Sequence, residues 1–229
     1  QFVSPGSFPV WSPDNSTILY SLGNKIFEKP LNLRYEPRLL IALDGDVDIE
    51  LGNLSSDGRF LCMSDGWNIS YLDRQDTTFH TLDFINSKNE FFPSISPDGK
   101  WLAYVSDFSG KSEVYVAPFP GPGQPYKISA GESYTPVWSP DMKSIYFIYQ
   151  GGLEPALMEV QVSTANGFSS GKPVSLFTGS FYSHFGFEIY GKYDIHPRGD
   201  RFLGVQNLSD TTSSVINVVV NWQQGLESK

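Results

Sequence analysis

The sequence predicts an all-β protein, a β-propeller of four-stranded antiparallel blades. Three observations predict it. One turn-and-strand motif recurs five times, with turn positions Pro13, Ser56, Pro97, Pro140 and Pro197 spaced 43, 41, 43 and 57 residues apart. A period of about 40–45 residues fits a blade of four strands. Aromatics make up 15% of the chain, with 21 Gly and 16 Pro, the mixture that many short strands and tight turns require. No segment carries an amphipathic 3.6-residue pattern, so an all-helical or α/β reading has nothing to stand on.

The five motifs are FPVWSPDNSTILYS (8–21), GNLSSDGRFLCMS (52–64), FPSISPDGKWLAYVS (92–106), TPVWSPDMKSIYFIY (135–149) and YDIHPRGDRFLGVQ (193–206). The turn has a local cause. Pro97 presets φ, Asp98 accepts backbone hydrogen bonds, and Gly99 takes a positive φ. Met142 stands where Gly is usual, which predicts a different turn type in the fourth repeat. In WLAYVS both alternating sets are apolar, as in a strand buried on both faces.

A third strand follows each hairpin: KIFEKPL, NISYLDR, EVYVAPF, ALMEVQV and VINVVVNW. Outer-strand candidates are LLIAL, TFHTL, YKISA and VSLFT. The fifth repeat lacks one, and residues 1–4, QFVS, could fill that place. Two arrangements follow: five blades closed by pairing the termini, or five blades of a larger propeller. The expected organisation is a single propeller domain over 1–229. Its blades run approximately over 5–43, 44–85, 86–130, 131–178 and 179–222, with 1–4 as the closing strand.

The formal net charge of −9 argues against nucleic acid as a partner. Cys62 is the single cysteine, which excludes an intrachain disulfide and a multi-cysteine zinc site. Its strand-like setting, RFLCMS, reads as a buried, inert thiol. No run of about 18 apolar residues exists, so no membrane insertion by this segment is expected. The start, QFVSPGSFPV, shows no signal peptide, as would be true also of a mature or excised fragment.

PSISPDGKWLAYVSDFSGKSEVYVAPFPGPG and PVWSPD resemble the TolB-type, WD-repeat-like β-propeller family. The likeness is closest to the propeller that follows the membrane segment in bacterial serine/threonine kinases, and the ending VINVVVNWQQGLESK is similar to the end of such kinases. The resemblance implies a bacterial, periplasmic or otherwise extracytoplasmic module that senses or binds and does not catalyse. In the parent chain it would be tethered to a membrane kinase. Ser56 in the Pro place and Arg198 in the Asp place depart from the family pattern. A propeller hosts many functions, so the resemblance specifies fold better than activity.

No GxxxxGK[ST] or HExxH pattern occurs, and the GxSxG string GFSSG at 167–171 is not read as a nucleophile elbow, so no catalytic residue and no cofactor is assigned. His80 reads as a solvated surface residue. His196 occupies the Ser place of the fifth turn and reads as a turn former. Asp44, Asp46 and Asp48, with Glu50, alternate in LDGDVDIE, and a calcium site is set against a solvated acidic connection. Glu50, Glu90, Glu132 and Glu188 each lie 6–9 residues ahead of a turn position. In a propeller these connections converge at one channel mouth, where four carboxylates would focus negative potential. The alternative is that acidic loops are merely soluble. Phe181, Tyr182, His184 and Tyr190 lie in the long connection TGSFYSHFGFEIYGKY (178–193), a candidate binding loop or a loop tucked on its neighbour. Tyr134 adjoins the same mouth. The expected function is recognition of a protein, peptide or cell-envelope glycan there. The alternative is a propeller enzyme acting on carbohydrate through mouth carboxylates.

Overall fold

The computed structural model describes residues 6–31, 35–65, 67–82, 89–179 and 193–203, and the backbone alone of 204–206 and 215–220. The described residues form strands and turns, with no helix. Strands assemble into five antiparallel sheets. The first holds β1 (Ser7–Trp11), β2 (Thr17–Leu22), β3 (Lys25–Pro30) and β4 (Arg38–Ala42). The second holds β5 (Glu50–Leu54), β6 (Phe60–Ser64), β7 (Ile69–Asp73) and β8 (Thr78–Leu82). The third holds β9 (Glu90–Ile95), β10 (Trp101–Ser106), β11 (Glu113–Pro118) and β12 (Tyr126–Lys127). In the fourth, β13 (Ser133–Trp138), β14 (Ser144–Tyr149) and β15 (Ala156–Ser163) pair in order, and β15 also pairs with β16 (Ser169–Ser170) and β17 (Val174–Thr178). The fifth holds β18 (Tyr193–Ile195), β19 (Arg201–Gln206) and β20 (Val215–Val220).

The expected strand YKISA shrinks to two residues in β12, although the Ile128 N–H still donates to the Val114 carbonyl at 2.9 Å. The proposed closing segment, residues 1–4, lies outside the described residues. The chain divides into two compact units, Gln1–Phe108 with Val116–Pro125, and Ser109–Tyr115 with Tyr126–Lys229.

The recurring turn is one piece of chemistry used five times. Its first residue is Ser12, Ser55, Ser96, Ser139 or His196. The carbonyl of that residue accepts the N–H three positions on at 2.7–3.0 Å, and its N–H donates to the carbonyl five positions on at 2.8–3.0 Å. In the four serine turns the hydroxyl donates to the Asp two positions on at 2.6–2.8 Å. The same hydroxyl accepts the N–H five positions on at 2.9–3.0 Å. In the fifth turn His196 Nδ1 accepts the Arg198 N–H at 3.2 Å and lies 3.1 Å from Asp200 Oδ1. The imidazole thus replaces the serine hydroxyl, as its position in the repeat predicts.

The fourth turn corrects an expectation. Met142 adopts φ 61°, beside 72°, 69° and 71° at Gly58, Gly99 and Gly199, and Asn15 does the same at 56°. The turn type does not change. Its hydrogen bonds hold the left-handed position even where a side chain makes it costly.

Burial follows the two-faced pattern read from WLAYVS: Leu102 to Ser106 are all buried. Within the first unit, Val10, Leu19, Ile26, Leu51, Leu61, Met63 and Leu72 form one cluster between the first two sheets. Each such side chain contributes about 1.5–3 kcal/mol on burial. In the second unit Tyr146, Ile148, Leu157, Ile195 and Phe202 pack together, with Phe202 edge-on to Tyr146 at 4.9 Å.

The innermost strands of the first four sheets share a bulge. Register breaks at residues 8–9 in β1, 52–53 in β5, 92–93 in β9 and 135–136 in β13. Phe8, Phe92 and Thr135 there take φ of 51°, 54° and 52°, and each precedes a proline, which disfavours the right-handed helical alternative. In β5 the pair is Gly52–Asn53. A Cβ on Gly52 would sit 2.3 Å from the Pro93 carbonyl oxygen and 2.7 Å from Cys62 Sγ, so glycine is what lets β5 approach β9.

Candidate functional site

Each innermost strand begins at the same end of its sheet, here the head end, and the recurring turns lie at the opposite end. Glu50 opens β5 opposite Ser64, and Glu90 opens β9 opposite Ser106. Glu90 is buried, at 5% exposure. In the second unit, Ser133 opens β13 opposite Tyr149 and holds that register position. Glu132 precedes it, outside the strand. Its carboxylate accepts the Tyr134 hydroxyl at 2.6 Å and its carbonyl accepts the Gln150 N–H at 2.8 Å. The uneven offset of the four glutamates thus has a structural counterpart: Glu50 and Glu90 occupy equivalent positions, and Glu132 is one residue out of phase. Glu188, Phe181, Tyr182, His184 and Tyr190 lie outside the described residues.

The acidic connection 44–50 does not gather its carboxylates. The chain bends at 44–46, with Gly45 at φ 92°, so the alternation that would align side chains is broken. Among the described residues, no group of three or more His, Cys, Asp or Glu side chains is placed to hold a metal ion.

His80 and the last aromatic of the long connection, Tyr193, have structural partners. His80 is exposed and stacks on Tyr71 at 4.8 Å. Tyr193, at the end of the long aromatic connection, donates its hydroxyl to the Thr135 carbonyl at 3.0 Å, and burial pushes its phenol well up. Cys62 is fully buried, and burial pushes its thiol up to about 12. That leaves it a structural side chain.

Sequence reasoning missed other features of the head end. In the second unit Glu113 is buried, and burial opposes its ionisation. The Ser109 hydroxyl at 2.5 Å, the Gly131 N–H at 2.9 Å and Lys127 at 3.2 Å nevertheless hold its carboxyl below the usual range. In the first unit, exposed Trp67 and Phe108 occupy the β6–β7 and β10–β11 connections. Their common position within the repeat was the available signal, because each lies 12 residues after the first residue of its turn, Ser55 or Ser96.

No protein-family model matches the chain, and no curated protein matches it. Solved structures do resemble it. TolB from Acinetobacter baumannii superposes with a TM-score of 0.74 at 17% identity, over 95% of this chain and 52% of that one. The putative TolB from Agrobacterium tumefaciens gives 0.69 at 19%, over 96% and 79%. Oligogalacturonate lyase from Vibrio parahaemolyticus gives 0.64 at 11%, over 96% and 65%. The chain therefore spans about half of the first TolB. At these identities the likeness speaks for the fold alone: repeated turn, antiparallel sheets and structural neighbours together give this chain a TolB-like β-propeller fold.

Proposed function

We propose that the chain is a non-catalytic, extracytoplasmic binding propeller that recognises a protein, a peptide or a cell-envelope glycan at its head end. The observation that carries this reading is the division of labour along the repeat. At the turn end, the Asp of each serine turn is committed to local hydrogen bonds with its own Ser and backbone. The head end presents carboxylates and exposed aromatics. Glu50 and Glu90 supply negative potential at the head end of the first unit and Glu132 at that of the second, and the TolB likeness favours binding. The extracytoplasmic location and tethering to a membrane kinase rest on sequence resemblance.

A thermal-shift screen of peptides, muropeptides, oligosaccharides and divalent cations tests the reading. A ligand whose stabilisation is lost on neutralising Glu50, in the first unit, or Glu132, in the second, is the expected result. A screen in which none of these compounds shifts the melting curve overturns it.

The likeness to an oligogalacturonate lyase favours one second reading, a carbohydrate-active propeller using head-end carboxylates. Product formation from acidic or neutral oligosaccharides, abolished by Glu50→Gln, would select it.

A further inference from the structure

Asn166 and Gly167 form the one Asn-Gly pair in the chain. They lie at the tip of the connection between β15 and β16, where Val162 pairs with Ser170 and Ser163 with Ser169. A bridge between Ala165 and Gly167 leaves Asn166 outermost, and both members of the pair are exposed. Gly167 takes φ 93°, a conformation that glycine adopts without steric cost. Among the described residues, the Asn166 side chain has no hydrogen-bond partner.

An asparagine is thermolabile when the backbone nitrogen of the next residue can reach its Cγ. The other asparagines with described side chains are each protected by structure. Asn24 Nδ2 donates to the Leu43 carbonyl at 2.6 Å and the Gly45 carbonyl at 3.0 Å. The Asn53 amide is held by Ile95, and Asn89 Nδ2 donates to Asp107 at 2.5 Å. After Asn15 the attacking nitrogen is occupied, because the Ser16 N–H donates to Ser12 Oγ at 3.2 Å and Asp14 Oδ1 at 3.0 Å. After Asn68 comes Ile69, β-branched, fully buried and paired on both sides in β7;. Asn166 alone in this set combines an unheld amide with a following glycine, whose nitrogen carries no side chain beside it.

We propose that Asn166 is a site of spontaneous deamidation and isomerisation at the outer edge of the fourth sheet. The Gly167 nitrogen loses its proton to hydroxide and attacks Asn166 Cγ. The N–Cγ bond forms, the Cγ–Nδ2 bond breaks, and the side-chain amide leaves as ammonia. The product is a cyclic imide. Water opens it at either carbonyl, giving aspartate or isoaspartate, with no oxidation or reduction. Phe168 follows directly, buried, with its ring 5.1 Å from Tyr126 and 6.5 Å from Trp138. Isoaspartate adds a methylene to the main chain and replaces a neutral amide with a carboxylate. The modification therefore loosens the turn that seats Phe168 against those two rings.

The test is incubation of the full chain at physiological temperature over a series of pH values in heavy-oxygen water, with peptide mapping by mass spectrometry. The 166–167 segment is expected to gain the mass of one amide-to-acid conversion, with one heavy oxygen, as a mixture of aspartate and isoaspartate. The rate should rise with pH and exceed that at Asn68 on the order of tenfold. Asn166→Gln should abolish the gain and leave the melting temperature unchanged. The isoaspartate-containing chain should melt below the fresh one and shift the Trp138 indole signal. Asn166→Asp adds the charge without lengthening the backbone, and it should do less of both. No gain at Asn166, a faster gain at Asn15 or Asn68, or aspartate without isoaspartate overturns the site. An isoaspartate-containing chain that melts as the fresh one does, with Trp138 unmoved, overturns the coupling to Phe168.

Discussion

Asn53 and Ile95 join adjacent sheets through a pair of hydrogen bonds. Asn53 Nδ2 donates to the Ile95 carbonyl at 2.9 Å, and Asn53 Oδ1 accepts the Ile95 N–H at 2.7 Å. A side-chain amide here imitates a strand, satisfying a buried backbone that no neighbouring strand reaches. Asn53→Ala leaves both Ile95 groups without these partners, and Ile95 is 1% exposed. The expected loss is about 2–4 kcal/mol, since each stranded buried group costs about 1–3 kcal/mol. Guanidinium unfolding checks it. A loss no larger than that of an exposed Asn→Ala substitution, such as Asn68→Ala, would show that the bridge contributes nothing.

Gly52, one residue earlier, sets the sheet separation at the same junction. Gly52→Ala places a methyl group against the Pro93 carbonyl, a backbone atom that cannot rotate away. Overpacking of this kind costs about 1–3 kcal/mol. Adding Cys62→Ala removes the 2.7 Å neighbour but not the 2.3 Å one, so the double variant should recover little. Full recovery in thermal melts would place the clash on sulfur instead.

Met142 and Gly99 hold equivalent turn positions with φ of 61° and 69°. Substitutions should therefore move stability in opposite directions. Met142→Gly relieves a left-handed side chain and should stabilise by about 0.5–1 kcal/mol, less than the full left-handed cost because the unfolded chain gains freedom. Gly99→Ala should destabilise by a similar amount. A steric clash is not the confounder, because a Cβ on Gly99 meets nothing within 4 Å. Paired unfolding curves of the two variants decide the matter.

The turns and strands were legible because their causes are local. Ser, Pro, Asp and Gly act within six residues, and two-sided burial shows as a continuous apolar run. Met142 was misread because residue preference was taken as turn type, whereas the hydrogen bonds around Ser139 specify the conformation. The bulges at Phe8, Phe92 and Thr135 left a trace in the repeated FP, FP and TP pairs, but a left-handed residue before proline is not a preference that composition reveals. The Asn53–Ile95 bridge spans 42 residues and had no local trace. The candidate site was the least legible part. Counting back from each turn gave Glu50, Glu90 and Glu132 offsets that drift by a residue each, but could not show that Glu50 and Glu90 share a register position and Glu132 does not.

Cys62 provides a clock for opening of the second sheet. Burial pushes its thiol up to about 12, and Sγ lies 3.2 Å from Asn53 Oδ1 and 3.5 Å from the Pro93 carbonyl oxygen. In the native state at neutral pH it should resist a thiol-specific reagent, and its labelling rate should rise with denaturant in step with unfolding. Asn53→Ala and Gly52→Ala should both speed labelling. Immediate labelling of the folded protein would contradict the burial of β6.

The turn aspartates tie stability to acid. In the folded state the Ser12 hydroxyl, then the Ser16 hydroxyl and N–H, hold the Asp14 carboxyl at about 2, below its ordinary 3.8. Asp57 and Asp141 are lowered in the same way, first by Ser55 and Ser139 respectively. A group that binds its proton less tightly when folded favours folding wherever it is ionised. That contribution is complete above the unfolded value near 3.8 and is lost as pH falls through the folded value near 2;. Melting temperature should therefore hold steady down to that window and then fall within it. Ser12→Ala should move the Asp14 midpoint upward toward 3.8 and remove its share of the acid response. Carbon-13 carboxyl titration reads the first effect and thermal melts across the same pH range read the second. An Asp14 midpoint unchanged in Ser12→Ala would show that the serine hydroxyl is not what holds the turn carboxylate.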